Sequence, residues 1–484
     1  MINFRIIGNL LGVLLLIVGV LMLTALPFSF YFHSGDHYTL LISSGISIVI
    51  GGALWKFKEN TNTPPNIRKR EGYLVVTLGW VVMSLFGMLP YIISGSIPDV
   101  SDAFFETMSG FTTTGASILN DIEGMPKGIL FWRSMTQWIG GMGIIVLTIA
   151  ILPILGIGGM DLFVAEAPGP TSDKLHPRIK ETAKRLWGIY VFLTFSLMLL
   201  LIAGRMSFYD AINHALTTMA TGGFSTQNAS IVNYSPFIQY VLVVFMFFAG
   251  TNFSLIYFGL KGAPKKIWES EEFRTYLFVS LLMTFLITLG AYSVREAPFE
   301  QVFRDVLFQV VSLITTTGFV SADYTSWAPY LTVICFALMF LGASAGSTSG
   351  GIKMIRHYVM VKNGMLEFKR LLHPRAIVPL TVNGKRLTPN IVTNVLVFLI
   401  LYLNVFVIST IIMSMVGLDL PTSMGAVATT LGNVGPGIGT IGPMDNFSGV
   451  SSVGKWFLSF LMLVGRLELF TVLILFTPYF WRAN

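Results

Sequence analysis

The sequence predicts an all-α integral membrane protein: two N-terminal helices followed by four span–half-helix–turn–span repeats in pseudo-fourfold arrangement. Three observations predict it. Hydrophobic residues make up 54% of the 484 and charged ones 11%, where a soluble chain carries about 25% charge; mean hydropathy is +0.72. Between the long apolar runs lie shorter ones that cannot cross a bilayer, each ending in a Gly-containing turn. The string Thr-Thr-Thr-Gly occurs twice, at 112–115 and 315–318, at matching places in that pattern.

A helix needs roughly 20 apolar residues to cross the hydrocarbon core. Candidate spans are 6–26, 38–55, 73–93, 129–155, 186–203, 237–260, 276–292, 328–341 (continuing beyond a break), 391–416 and 456–479. The first lacks a small-residue cleavage site and is read as a retained helix, not a signal peptide. The shorter stretches are 103–111, 211–219, 299–314 and 421–431. Their length suits re-entrant segments that enter and leave on one side. The chain then divides into a two-helix extension at 1–70 and repeats at 71–170, 171–265, 266–375 and 376–484.

The turns align as Thr113-Thr114-Gly115-Ala116, Ala220-Thr221-Gly222-Gly223, Thr316-Thr317-Gly318-Phe319 and Asn433-Val434-Gly435-Pro436. Their glycines recur about every hundred residues, too long a period for a solenoid and suited to two spans with a loop between them.

Charge fixes the topology. With the N-terminus inside, 24 of the 31 Lys and Arg fall on inner segments: Arg5, five in 56–70, five in 174–185, four in 261–274, eight in 353–386, and Arg482. Six fall outside, and Arg466 lies within a span. The positive-inside rule then places both termini in the cytoplasm and all four turns outside. The basic excess is topological, and nucleic-acid binding is not needed to explain it. Thirteen of the 24 acidic residues lie outside, which would concentrate cations at an outer mouth. Glu106, inside the first half-helix, is the acid expected close to the axis.

A dehydrated cation needs replacement oxygens, and potassium pathways supply them as rings of backbone carbonyls from Thr/Gly-rich loops. Glycine permits the positive φ that points successive carbonyls one way. Threonine adds a hydroxyl at the inner end, and half-helix C-termini add partial negative charge. Four such loops in one chain form a ring without a tetramer. The candidate filter is therefore Thr113, Thr114 and Gly115; Ala220, Thr221 and Gly222; Thr316, Thr317 and Gly318; and Asn433, Val434 and Gly435, with potassium bound at these residues only.

The runs Ser109-Gly-Phe-Thr-Thr-Thr-Gly115, Met219-Ala-Thr-Gly-Gly-Phe-Ser225, Thr315-Thr-Thr-Gly-Phe319 and Leu431-Gly-Asn-Val-Gly-Pro436 give the chain its resemblance. Over essentially its whole length it resembles the Trk/Ktr/HKT superfamily of cation transporters, and within it the bacterial TrkH-type branch. The extra N-terminal helix pair favours that branch over the similar KtrB type, which lacks it. In this family a glycine in every filter turn goes with potassium preference, whereas serine in the first goes with sodium transport in some plant members. Gly115, Gly222, Gly318 and Gly435 are all present. The departure is Asn433-Val434, which replaces threonines and leaves the fourth turn's carbonyl geometry the least secure. The resemblance implies potassium uptake through a gated, channel-like pore in the bacterial inner membrane. It also implies a homodimer and a TrkA-like cytosolic ring, so that nucleotide or NAD acts only through that partner and this chain itself holds no tight cofactor. The inner segment 353–386, with eight basic residues, suits such a partner.

The eighth span is interrupted by a small-residue run carrying Gly342, Gly346, Gly350 and Gly351. Glycine costs about 1 kcal/mol relative to alanine in a helix, so the run predicts an unwound intramembrane loop, which the resemblance makes the family's gate. The alternative is a small-residue packing face. Arg466 is expected to find a partner elsewhere, since Glu468 at two residues' spacing does not face it on one helix. It either forms a structural ion pair or projects beneath the filter, raising the barrier to cations and holding the loop.

Other chemistries find no support in the residues. The G-x-G-x-x-G at 437–442 has no strand before it, and 346–353 lacks the Gly-Lys-Ser/Thr of a phosphate loop. The six histidines (33, 37, 176, 214, 357 and 373) show no ligand spacing, with His214 expected to be structural, and Cys335 is the single cysteine. No catalytic constellation is evident, so an enzyme is not expected. The competing class is an ion-coupled secondary transporter with broken helices and a midplane site. It would favour repeats of alternating orientation, against the one-sided placement of the turns.

Overall fold

The computed structural model describes residues 2–56, 69–143 and 179–482. Among these, six helices are long and apolar enough to cross a membrane: Phe4–Tyr31, His37–Trp55, Arg70–Ser94, Ala183–Ala203, Glu271–Tyr292 and Pro389–Met415. The spans expected at 237–260 and 456–479 are bent pairs instead. Pro236–Ala249 turns by 107° into Phe253–Leu260, and Ser452–Arg466 turns by 113° into Phe470–Phe476. The first bend has a local cause: Asn252 Oδ1 accepts from the Ser254 N–H at 2.8 Å and starts a new helix. At the second, Glu468 and Leu469 take φ of 55° and 53° just past the Leu467 cap that follows Arg466. The span expected at 328–341 shortens to Pro329–Leu338, because the small-residue run beyond it is not helical. That expected at 129–155 begins as Lys127–Trp138 and passes into a π-helical turn, Ile139–Gly143; its remainder lies outside the described residues.

The four half-helices stand where the short apolar stretches placed them: Val100–Phe111, Phe208–Met219, Phe299–Ile314 and Leu420–Gly432. Asp99, Ser207 and Asp419 cap three of them by accepting from the N–H groups of Asp102, Asp210 and Thr422. The third starts after Pro298. In the first, every residue from Ala103 to Phe111 is buried. Backbone ending at membrane depth is tolerable only inside such a protein shell.

The leading pair of helices meets through small residues. A Cβ on Gly12 would sit 2.7 Å from the Gly51 carbonyl oxygen, and one on Gly51 would sit 2.8 Å from that of Gly12. Ser44 Oγ donates to the Gly19 carbonyl at 2.7 Å. Such close approach is how helices associate where lipid removes the hydrophobic drive. On the outside, Phe278, Leu281, Phe285 and Leu289 of one span, and Ile400, Leu403, Val407 and Ile411 of another, are exposed. Water would not tolerate stripes of that size, whereas hydrocarbon does. The protein is a multi-pass membrane protein. A hairpin, Thr381–Val382 with Lys385–Arg386, is the one sheet among the described residues; its Asn383-Gly384 turn has positive φ at both positions.

Candidate functional site

All four half-helices end in the same way. One residue beyond the cap in the first three, Thr113, Thr221 and Thr316 take φ of 53°, 53° and 56°, and the fourth's cap residue, Asn433, takes 52°. Each donates its N–H to the carbonyl three residues back, and the following N–H reaches the carbonyl five back: Thr114 to Ser109, Gly222 to Thr217, Thr317 to Ser312 and Val434 to Thr429, at 2.8 to 2.9 Å. This Schellman closure satisfies the last helical carbonyls without water. Two residues after each left-handed residue comes a glycine with positive φ: Gly115 at 81°, Gly223 at 76°, Gly318 at 82° and Gly435 at 101°.

That pattern corrects the second turn by one residue. Gly223, not Gly222, is the counterpart of Gly115, Gly318 and Gly435. Gly222 matches Thr114, Thr317 and Val434, and Ala220 is the helix cap before the turn. The fourth turn, expected to be the least secure, has the backbone of the others. Asparagine tolerates the left-handed region better than the β-branched threonines that occupy it elsewhere.

The turns close into a ring. A Cβ on Gly115 would lie 2.2 Å from the Gly222 carbonyl oxygen, one on Gly223 2.1 Å from that of Thr317, one on Gly318 2.1 Å from that of Val434, and one on Gly435 2.8 Å from that of Thr114. Each glycine thus abuts the equivalent carbonyl of the next turn, in chain order and back to the start. The four glycines also line one cavity of about 160 Å³, whose wall continues through Ser117, Asn228, Asp445 and Asn446.

Side chains around this cavity brace the ring. Glu106 is fully buried; its carboxylate accepts from Ser117 Oγ and the Ile118 N–H and pairs with Arg133 Nε at 2.7 Å. Its carboxylate is therefore paired within the protein wall. The equivalent position holds His214 in the second half-helix, whose Nε2 is 3.0 Å from Ser225 Oγ, and Gln309 in the third, which donates to Ser321 Oγ at 3.4 Å. Sequence reading missed Arg133, whose guanidinium also donates to the Ser225 carbonyl and stacks 3.5 Å from the Phe224 ring centre. It also missed Gln137, which donates to the Gly222 carbonyl at 2.6 Å and accepts from the Phe224 N–H. Both lie one helical turn apart on Lys127–Trp138, and that i, i+4 spacing of polar residues in an apolar run was the available signal.

On the opposite side of the turns from the cavity, the small-residue run crosses as an ordered loop. The Gly342 N–H donates to Ile352, and that of Met354 to Ala343. The Ser344 N–H reaches Gly250 and the Phe253 N–H reaches Gly346, so the loop is stitched to the bend in the second repeat. Gly346 and Gly351 have φ of 74° and 66°. Thr348 Oγ1 donates to the Met219 carbonyl at 3.0 Å, and the Gly350 N–H donates to Thr316 Oγ1 at 2.7 Å. Arg466 finds its partners here: it donates to the Thr348 carbonyl at 2.8 Å and to those of Gly140 and Gly141 at 2.7 and 2.9 Å. Glu468 pairs instead with Arg356. The loop and Arg466 thus touch all four repeats just below the ring.

Comparison with known proteins gives concordant matches. A family model described as TrkH, cation transport protein, matches residues 37–482. The Trk system potassium uptake protein TrkH of Escherichia coli (strain K12) is 40% identical over 490 residues, spanning 99% of this chain and 100% of that protein. The Trk system potassium uptake protein TrkG of the same strain is 31% identical over 485 residues, 99% of each. The crystal structure of the potassium transporter TrkH from Vibrio parahaemolyticus matches with a TM-score of 0.89 at 38% identity, covering 99% of this chain and 100% of that one.

Proposed function

The chain belongs to the TrkH family of cation transport proteins, and we propose that it takes up potassium across the bacterial inner membrane through a gated, channel-like pore. It is a transport protein rather than an enzyme, as its relatives are named. The observation that carries the pore reading is the closure of each turn's glycine onto the next turn's carbonyl. Four loops held in that register offer layered rings of carbonyl oxygens to a dehydrated cation. The filter is 113–115, 221–223, 316–318 and 433–435, one quarter from each of the four repeats. The half-helix C-termini at its inner side favour positive charge. The gate is the loop carrying Gly342, Gly346, Gly350 and Gly351, held beneath the filter by Arg466. Both termini face the cytoplasm. A nucleotide-responsive cytosolic ring of the TrkA type acts on the inner face of a homodimer, and any nucleotide works through that ring.

Broken helices also belong to the secondary-transporter reading, and two bends are present. They abut the loop beneath the ring, however, and all four half-helices end at the same ring, unlike repeats of alternating orientation. Purified protein in vesicles, with and without the cytosolic ring, separates the readings. Potassium flux down its own gradient, exceeding that of sodium, is expected. Absence of cation flux under both conditions overturns the pore, and flux that requires a proton or sodium gradient assigns coupled transport instead.

A further inference from the structure

Three seams of the ring are tighter than the fourth. The would-be Cβ distances across the first three are 2.2, 2.1 and 2.1 Å, whereas a Cβ on Gly435 would lie 2.8 Å from the Thr114 carbonyl oxygen. Gly435 also has the most open φ of the four, 101°. A side chain spans this wider seam. The Asn433 carboxamide donates to Thr114 Oγ1 at 3.0 Å and to the Met462 carbonyl at 3.0 Å. Thr114 Oγ1 is itself 2.8 Å from Thr112 Oγ1, so its position is fixed from both sides. Asn433 is fully buried, and Cβ atoms built on Gly350 and Gly465 would lie 3.1 and 2.9 Å from its Oδ1, so both neighbours leave it only just enough room.

We infer that Asn433 is a specificity-determining positioning residue: its carboxamide ties the fourth turn to the first and sets the width of the ring at its loosest seam. The inference rests on the pore reading above. A threonine at 433 could keep the backbone, as Thr113, Thr221 and Thr316 do, but its hydroxyl is too short to serve both partners. The seam would then be free to widen, and discrimination between cations of different size would fall while conduction remained.

The experiment measures potassium and sodium flux through vesicle-reconstituted wild type, Asn433→Thr, Thr114→Ser and Thr114→Val. Asn433→Thr and Thr114→Val are each expected to lower the potassium-to-sodium ratio about tenfold, the scale of a lost buried hydrogen bond. Thr114→Ser keeps the acceptor and should lose clearly less of the ratio than Thr114→Val. The double variant Asn433→Thr/Thr114→Val should lose less than the sum of the two single losses, because both cut the Asn433–Thr114 bond. If Asn433→Thr is not recovered folded, Thr114→Ser against Thr114→Val decides. An unchanged ratio in Thr114→Val, or additive losses in the double variant, overturns the inference. Absence of potassium flux in the wild type overturns the pore reading instead.

Discussion

Threonine with positive φ is a genuine outlier for a β-branched residue, worth on the order of 1–3 kcal/mol of strain. Three stand at the same place in the turns, Thr113, Thr221 and Thr316, and the glycine two residues later has no room for a Cβ. The second turn tests the register, because it contains two adjacent glycines with different surroundings. A Cβ on Gly222 would meet the Gln137 side chain first, whereas one on Gly223 would meet the Thr317 backbone oxygen at 2.1 Å. Gly223→Ala should therefore abolish potassium flux. Gly222→Ala should shift Gln137 and retain part of it, since a side chain yields where backbone does not. Vesicle flux of the two variants checks this, and the reverse order would restore the alignment read from the string alone. That string could not choose between them, because adjacent glycines look alike until one of them must take a positive φ.

Among the elements, the intramembrane loop and the last long helix form one unit. Arg466 makes three bonds to carbonyls, on the loop and on the π-helical turn at Ile139–Gly143. A unit charge a few ångströms from a conduction path contributes on the order of 1 kcal/mol or more even at high effective dielectric. Arg466→Gln is expected to raise potassium flux without the cytosolic ring about tenfold, and Arg466→Lys, which keeps the charge and loses the fork, less. Unchanged flux in Arg466→Gln would make the residue a structural fastener only. The half-helices were legible as elements because their apolar length alone excludes a crossing; the first two start three residues before the apolar stretches do, just after the caps Asp99 and Ser207, because hydropathy ignores polar capping residues, while the third starts where its stretch does. The loop was legible from its glycines. The two bends were not: hydropathy carries no direction, and nothing in the composition of Glu468-Leu469 announces positive φ.

At the scale of the whole molecule, repeats distant in sequence are bonded to one another around the ring. Arg133 reaches Ser225, the Ile231 N–H reaches Val320, Tyr324 reaches Gly437, and the Phe447 N–H reaches Ser117. Every seam between consecutive turns is therefore crossed within one chain, the last one included. A homodimer of such chains would hold two separate pores, not one shared ring. The consequence can be measured with Gly223→Ala as the inactive partner. In vesicles made from mixed chains, flux should fall in proportion to the wild-type fraction, to about half in an equal mixture. Were a pore assembled from four chains, as single-loop channel subunits require, an equal mixture would leave about one-sixteenth. A proportional fall also separates conduction from regulation: if dimerisation couples the two gates, the deviation should emerge only when the cytosolic ring is added, since each ring of turns closes within its own chain.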